Sequence, residues 1–233
     1  MSKEHPILFS REMVKAILDG RKTQTRRVIK TQPVPDPDGT KYSKSGYWRR
    51  STYHQSMITI ENMICACPYG KVGDRLWVRE GWQAGIEWDA EKPSEIDPLC
   101  GGNDIHYLAD GFRLNDEDGW GKLRSPLFMP KWAARLWLEI TGIRVERVQE
   151  ISEEDAIAEG VGHREGPILR MDNTDGPTIR HYRDYMEINF HSYRFDTAIN
   201  SFWTLWNFLN IKCGYGWEQN PWLWVIEFKP PSV

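Results

Sequence analysis

Gly20-Arg21-Lys22-Thr23-Gln24-Thr25-Arg26-Arg27 gathers four of the chain's thirty basic side chains into eight positions and interleaves them with threonines. The run is too short for a targeting signal and too regular for a disordered tail. Two readings stand side by side. In one it is an edge that faces an anion or a nucleic acid and carries a nucleophile. In the other it is a solvated edge strand, on which Lys and Arg discourage edge-to-edge pairing.

The residues before it form a short unit. Pro6-Ile7-Leu8-Phe9 reads as a buried strand. Ser10 is an N-cap, and Glu12 suits the first turn of a helix. Met13/Ile17 and Val14/Leu18 recur at i,i+4 and give one apolar stripe. Gly20 fits the left-handed position that ends a helix. Thr23 to Ile29 then reads as a strand. Thr23, Thr25 and Arg27 face one way, and Gln24 and Arg26 face the other. Lys22 and Thr25 are three apart, so they meet only if Lys22 lies ahead of the strand.

Further along, residues 31–66 are rich in Pro, Asp, Gly, Ser and Tyr and read as a surface insertion. Lys41, Lys44, Arg49 and Arg50 lie there beside Tyr42, Tyr47 and Trp48. Such interleaving suits a nucleic-acid groove or an ordinary solvated loop. Arg75-Leu76-Trp77-Val78-Arg79 alternates as a strand after Gly73-Asp74. Residues 81–125 read as irregular apart from a strand at Ile105–Ala109, and form a second insertion. Leu136 to Val148 reads as two strands at a tight turn or one strand with a bulge. Ser152-Glu153-Glu154-Asp155 opens a helix as a capping box, and Gly160 ends it. Glu159 falls in its last turn, where a buried carboxylate serves as a general base and an exposed one is only a helix end. Residues 162–194 read as a third polar insertion. Ala198, Phe202, Leu205, Trp206 and Leu209 keep helical spacing. Trp222 to Phe228 closes the chain as a well-buried strand. The expected fold is α+β: a small, partly closed mixed β-barrel with helices at its mouth, in one domain, 1–233, with insertions at about 31–66, 81–125 and 162–194.

With 233 residues the chain can bury a sizeable core. Net charge is -3, but residues 1–80 carry 15 Lys+Arg against 8 Asp+Glu and the remainder 15 against 25. That asymmetry allows a basic face behind a mild average. No apolar run approaches a membrane span, and no basic-then-apolar start marks a signal peptide. A soluble, cytoplasmic protein with no membrane partner is expected. Cys65, Cys67, Cys100 and Cys213 form no CxxC pair and are expected to stay reduced. His163, His181 and His191 show no ligand spacing. No metal and no cofactor are expected. No dinucleotide fingerprint, P-loop, zinc-protease motif or nucleophile elbow occurs.

Several blocks together resemble the ASCH-domain family of the PUA-like superfamily, in its phage and prophage branch. They are Pro6–Ser10 with Ile17–Arg27, Gly73–Glu80, Met129–Ala133, Ile151–Ala156 and Asn220–Phe228. They run in order from end to end, with the three insertions outside them. The resemblance implies a PUA-like barrel, often associated with RNA or modified nucleosides, in a bacterial host cell. One small branch of the family hydrolyses the amide of N(4)-acetylcytidine. Its motif is Gly-Arg-Lys-Thr-x-Thr, followed on a later helix by Glu. By that resemblance Thr25 is the nucleophile, Lys22 takes its proton, and Glu159 orients substrate or relays protons. Arg21 or Arg26 stabilises an oxyanion or holds a phosphate. Arg27 and Trp77 are further candidates for contact with a nucleic acid or substrate. This chain is far longer than that branch and carries the extra Arg26-Arg27 pair. An amidohydrolase therefore stands first. A module that binds RNA or a modified base without chemistry stands second, and a metal-dependent nuclease last, for want of a ligand cluster.

Overall fold

The computed structural model describes residues 2–35, 42–43, 60–97, 105–111, 119–169, 175–186 and 193–229. Lys41, Lys44, Tyr47, Trp48, Arg49, Arg50, Cys100 and His191 lie outside them. Within them the chain is mixed α+β, with several sheets and few helices. The strands are β1 (Glu4–Leu8), β2 (Gln24–Val28), β3 (Val34–Pro35), β4 (Tyr42–Ser43), β5 (Arg75–Arg79) and β6 (Trp82–Gln83). They continue with β7 (His106–Tyr107), β8 (Trp137–Arg147), β9 (His163–Leu169), β10 (Asp175–Arg183), β11 (Tyr193–Phe195) and β12 (Trp222–Lys229). The helices are α1 (Arg11–Leu18), α2 (Ile60–Ile64), α3 (Glu153–Ala158) and α4 (Ala198–Asn210). No closed barrel is formed among the described residues. The chain groups into two compact units, each drawn from separated segments.

The first unit comprises residues 1–21, 68–141 and 228–233. β1 runs parallel to β5, and β5 pairs antiparallel with the start of β8, Leu76 opposite Leu138. Ile7, Val78, Leu138 and Ile140 are buried between these strands and their neighbours. α1 begins where expected, with the Met13 amide donating to Ser10 Oγ. Met13, Val14, Ala16 and Ile17 form its buried face, while Leu18 is exposed. The stretch after residue 80 is not a surface insertion throughout. Trp82 is fully buried and packs with Ala84, Ile96, Met129 and Ala133 as a core of its own. Its strand β7 falls within the strand expected at Ile105–Ala109, while its partner β6 is two residues long, too short to show alternation in the sequence.

A buried ion pair locks this unit. Glu80 follows β5 almost wholly buried, and Arg135 Nε and Nη2 donate to its two carboxylate oxygens at 2.9 and 3.0 Å. The same guanidinium donates through Nη1 to Asp110 and lies 4.0 Å from the centre of the Tyr107 ring. Tyr107 donates its hydroxyl to the Ala133 carbonyl at 2.8 Å.

The second unit comprises residues 22–67 and 142–227. β12 pairs antiparallel with β2, placing Thr25 opposite Ile226 and Gln24 opposite Glu227. β8 is one strand, and its residues from Gly142 onward belong here. The region expected as a third insertion instead contains the sheet β11-β10-β9, in which Tyr182 is buried. The first expected insertion contributes α2, whose Met63 is fully buried. Pro and Gly inside β9 and β10 mask the period-2 pattern that would have betrayed these strands.

α3 and α4 are tied end to end. Thr197 caps α4, and the Ala198 and Ile199 amides also donate to the Glu153 carboxylate. A carboxylate at a helix N-terminus satisfies amides that have no partner within the helix and meets the positive end of the dipole. Phe202, Leu205 and Trp206 are buried on α4 as its spacing predicts, but Leu209 is exposed. Among the described residues no helix is long and apolar enough to cross a membrane.

Candidate active site: a buried lysine and carboxylate

The site lies in the second unit and is built where β2 meets the end of α3. The Thr23 amide donates to the Ala158 carbonyl at 2.9 Å, which holds the motif against the last turn of the helix. Ser152 caps α3, its Oγ accepting from the Asp155 amide. It stops at Glu159, because Gly160 turns left-handed at φ 81° and its amide donates back to Ile157. A side chain at that φ is strained. Gly160→Ala is therefore expected to destabilise the protein by about 1–2 kcal/mol, read by chemical denaturation. A loss of a few tenths would refute the account of the turn.

Glu159 is not an exposed helix end. It is 4% exposed, and Lys22 is 2% exposed. Lys22 precedes β2, and its Nζ donates both to the Glu159 carbonyl at 2.8 Å and to Glu159 Oε2 at 2.9 Å. The remaining carboxylate oxygen, Oε1, accepts from Arg26 Nη1 at 3.2 Å. Burial pushes the Lys22 ammonium below the ordinary lysine range; the Glu159 carboxylate opposes this, and the charges of Arg27 and Arg26 add to it.

The network extends outward from this pair. Arg26 Nη2 donates to Asp155 Oδ2 at 2.8 Å and to Glu146 Oε2 at 3.2 Å. Arg144 donates to Asp155, Glu146 and Glu227, and Gln24 Nε2 donates to the Asp155 carbonyl. Burial pushes the Asp155 carboxyl up, but hydrogen bonds from Arg144 and Arg26 overcome this and hold it below its ordinary value. Arg26 is thus buried among carboxylates, with its guanidinium turned inward.

The other candidates are placed differently. Gln24 and Arg26 both reach α3, so strand alternation turns Thr25 to the opposite face of β2, the face of Ile226. Thr25 is 4% exposed. The hydrogen bonds of Lys22 described above go to Glu159. Arg21 belongs to the first unit, where it is partly exposed and pairs with the exposed Asp19 at 2.9 Å. Arg27 is partly exposed on β2. Trp77 is buried in the first unit, opposite Trp137 and 4.5 Å from the Arg79 guanidinium.

Sequence reasoning missed Asp155, Arg144, Glu146 and Glu227. Two signals were present. Asp155 and Glu159 are i,i+4 and so share a helix face, and Arg144 and Glu146 are i,i+2 and share a strand face. Among the described residues no group of three or more His, Cys, Asp or Glu is arranged to hold a metal ion. Cys65 and Cys213 are free thiols. No family model, no curated protein and no solved structure matches the chain.

Proposed function

We propose that the chain is an ASCH-type protein of PUA-like architecture that hydrolyses the amide of an acylated nucleoside or nucleobase. N(4)-acetylcytidine is the compound to test first. The observation that carries this reading is the buried Lys22–Glu159 pair. Lys22 Nζ serves two acceptors on Glu159, the backbone carbonyl and Oε2. Burial shifts Lys22 toward the neutral amine, and the Glu159 carboxylate shifts it back. A desolvated lysine of this kind is a general base.

In the proposed reaction Thr25 Oγ1 adds to the acetyl carbonyl carbon and its proton passes to Lys22 through a bridging water, because Thr25 lies on the face of β2 turned away from α3. The C–N bond then breaks, the departing amino nitrogen takes that proton, and an acetyl ester remains on Thr25. Water hydrolyses the ester and releases acetate. Lys22 and Glu159 hold their roles through their geometry. Thr25 holds its role through the Gly-Arg-Lys-Thr-x-Thr resemblance.

The test is acetate release from N(4)-acetylcytidine by the purified protein beside Lys22→Met and Thr25→Ala. Turnover by the wild type, with a loss of at least about 100-fold in Lys22→Met, is the expected result. Equal turnover in Lys22→Met sinks the general-base role. Turnover that survives in Thr25→Ala moves the nucleophile to a water activated by Lys22. No turnover by the wild type removes this substrate.

A further inference from the structure

We propose that Arg26 is a positioning residue for the Lys22–Glu159 pair: its forked guanidinium holds one oxygen of the Glu159 carboxylate and so fixes which oxygen the Lys22 amine receives. Its use in catalysis rests on the hydrolase reading, whereas its effect on Lys22 does not. The division of the carboxylate is direct. Oε1 accepts from Arg26 at 3.2 Å, and Oε2 accepts from Lys22 at 2.9 Å. With Oε1 on Arg26 Nη1 and Oε2 on Lys22 Nζ, rotation of the carboxylate breaks both bonds.

The fork is itself held. The Arg26 side chain is 1% exposed, with Nη2 on Asp155 and Glu146 and its guanidinium 5.8 Å from the centre of the Phe202 ring. Its Nε–H has no acceptor among the described residues. A buried orphan donor is costly. Arg26 therefore sits where the carboxylates dictate and not where its own hydrogen bonding is best satisfied. β2 supplies the direction, since Gln24 and Arg26 both project toward α3.

The arrangement has a chemical consequence. Two cations share one anion, so Lys22 receives less of its charge than in an isolated pair. The charged groups bearing on Lys22 are Glu159 from the end of α3 and Arg26 and Arg27 from β2. Asp155 of α3 and Glu146 of β8 bear on Arg26, and Arg144 of β8 ties those two together. Removing the Arg26 charge returns the whole Glu159 carboxylate to Lys22 and favours the ammonium. Removing the Asp155 charge does the reverse.

The experiment follows the 13Cε and 15Nζ shifts of Lys22 against pH by NMR in the full chain, without substrate, with Lys22→Met to assign the signal. Arg26→Gln is expected to raise the Lys22 midpoint by about one pH unit or more. Arg26→Lys keeps a cation there and is expected to restore the midpoint toward that of the wild type. Asp155→Asn lies nearer solvent, with 24% of its side chain exposed, and is expected to lower the midpoint. An unmoved midpoint in Arg26→Gln overturns the proposal. If that variant does not fold, an unmoved or raised midpoint in Asp155→Asn overturns it. Absence of turnover on N(4)-acetylcytidine is a separate result, which removes the hydrolase reading and leaves the midpoint shifts to be read on their own.

Discussion

Glu159→Gln is expected to destabilise the protein by about 3–5 kcal/mol at pH 7. The change leaves Lys22, 2% exposed, without its counter-charge and deprives Arg26 of one of its carboxylates. The amine then folds in its neutral form. Neutralising a lysine from its ordinary value of 10.5 costs about 1.4 kcal/mol per pH unit, so the Lys22 contribution at pH 7 has a ceiling of about 5 kcal/mol. The sign of the pH dependence follows. Below pH 10.5 the unfolded chain binds a proton at Lys22 that the folded variant does not, so the stability of the variant rises with pH toward 10.5. Urea denaturation at pH 7 and pH 9.5 is the measurement, and the gap to the wild type is expected to shrink at the higher pH. A gap of equal size at both values would show that the Lys22 charge is not what Glu159 holds in place.

Arg135→Met in the first unit is expected to cost a similar amount, about 3–5 kcal/mol at pH 7. It strips both hydrogen bonds from Glu80, which is 1% exposed, and removes the cation from above Tyr107. Burial already pushes the Glu80 carboxyl above its ordinary value of 4.5, and Arg135 is the group that opposes this. Without Arg135 the folded chain holds a proton on Glu80 that the unfolded chain releases above pH 4.5. The contribution of Glu80 to stability is then present near pH 4.5 and is lost as pH rises through the raised folded value. The deficit of the variant is expected to be smaller at pH 5 than at pH 7. The two substitutions thus have opposite pH signatures, the first eased by base and the second by acid. A deficit for Arg135→Met that grows on acidification would mean the ion pair is not the source of the loss.

Legibility in the sequence followed length and regularity. α1 was readable because Ser10, the Met13/Ile17 spacing and Gly20 all agreed. α3 was readable because Ser152 and Gly160 bracket it. β12 was readable because Trp222 to Ile226 is an unbroken buried run. β6 and α2 were not, because elements of two to five residues carry no period, and their burial comes from distant partners such as Met129 against Trp82. β9 and β10 were read as part of a polar insertion because their charged residues and internal Gly and Pro resemble surface chain until the pairing is seen.

The sequence by itself determined that Lys22 stands ahead of a strand, that Glu159 ends a capped helix, and that Gln24 and Arg26 share one face of β2 with Thr25 on the other. Those are consequences of local backbone geometry, which 3.6- and 2-residue periods and a left-handed glycine specify within a few residues. Only the tertiary structure decided that Lys22 and Glu159 are buried together, that Arg26 divides the carboxylate with Lys22, and that Asp155, Arg144, Glu146 and Glu227 complete the network. The positions of Lys22 and Glu159 are 137 residues apart. The protonation preference of a group depends on desolvation and on charges brought within a few ångströms by packing, which no local pattern encodes.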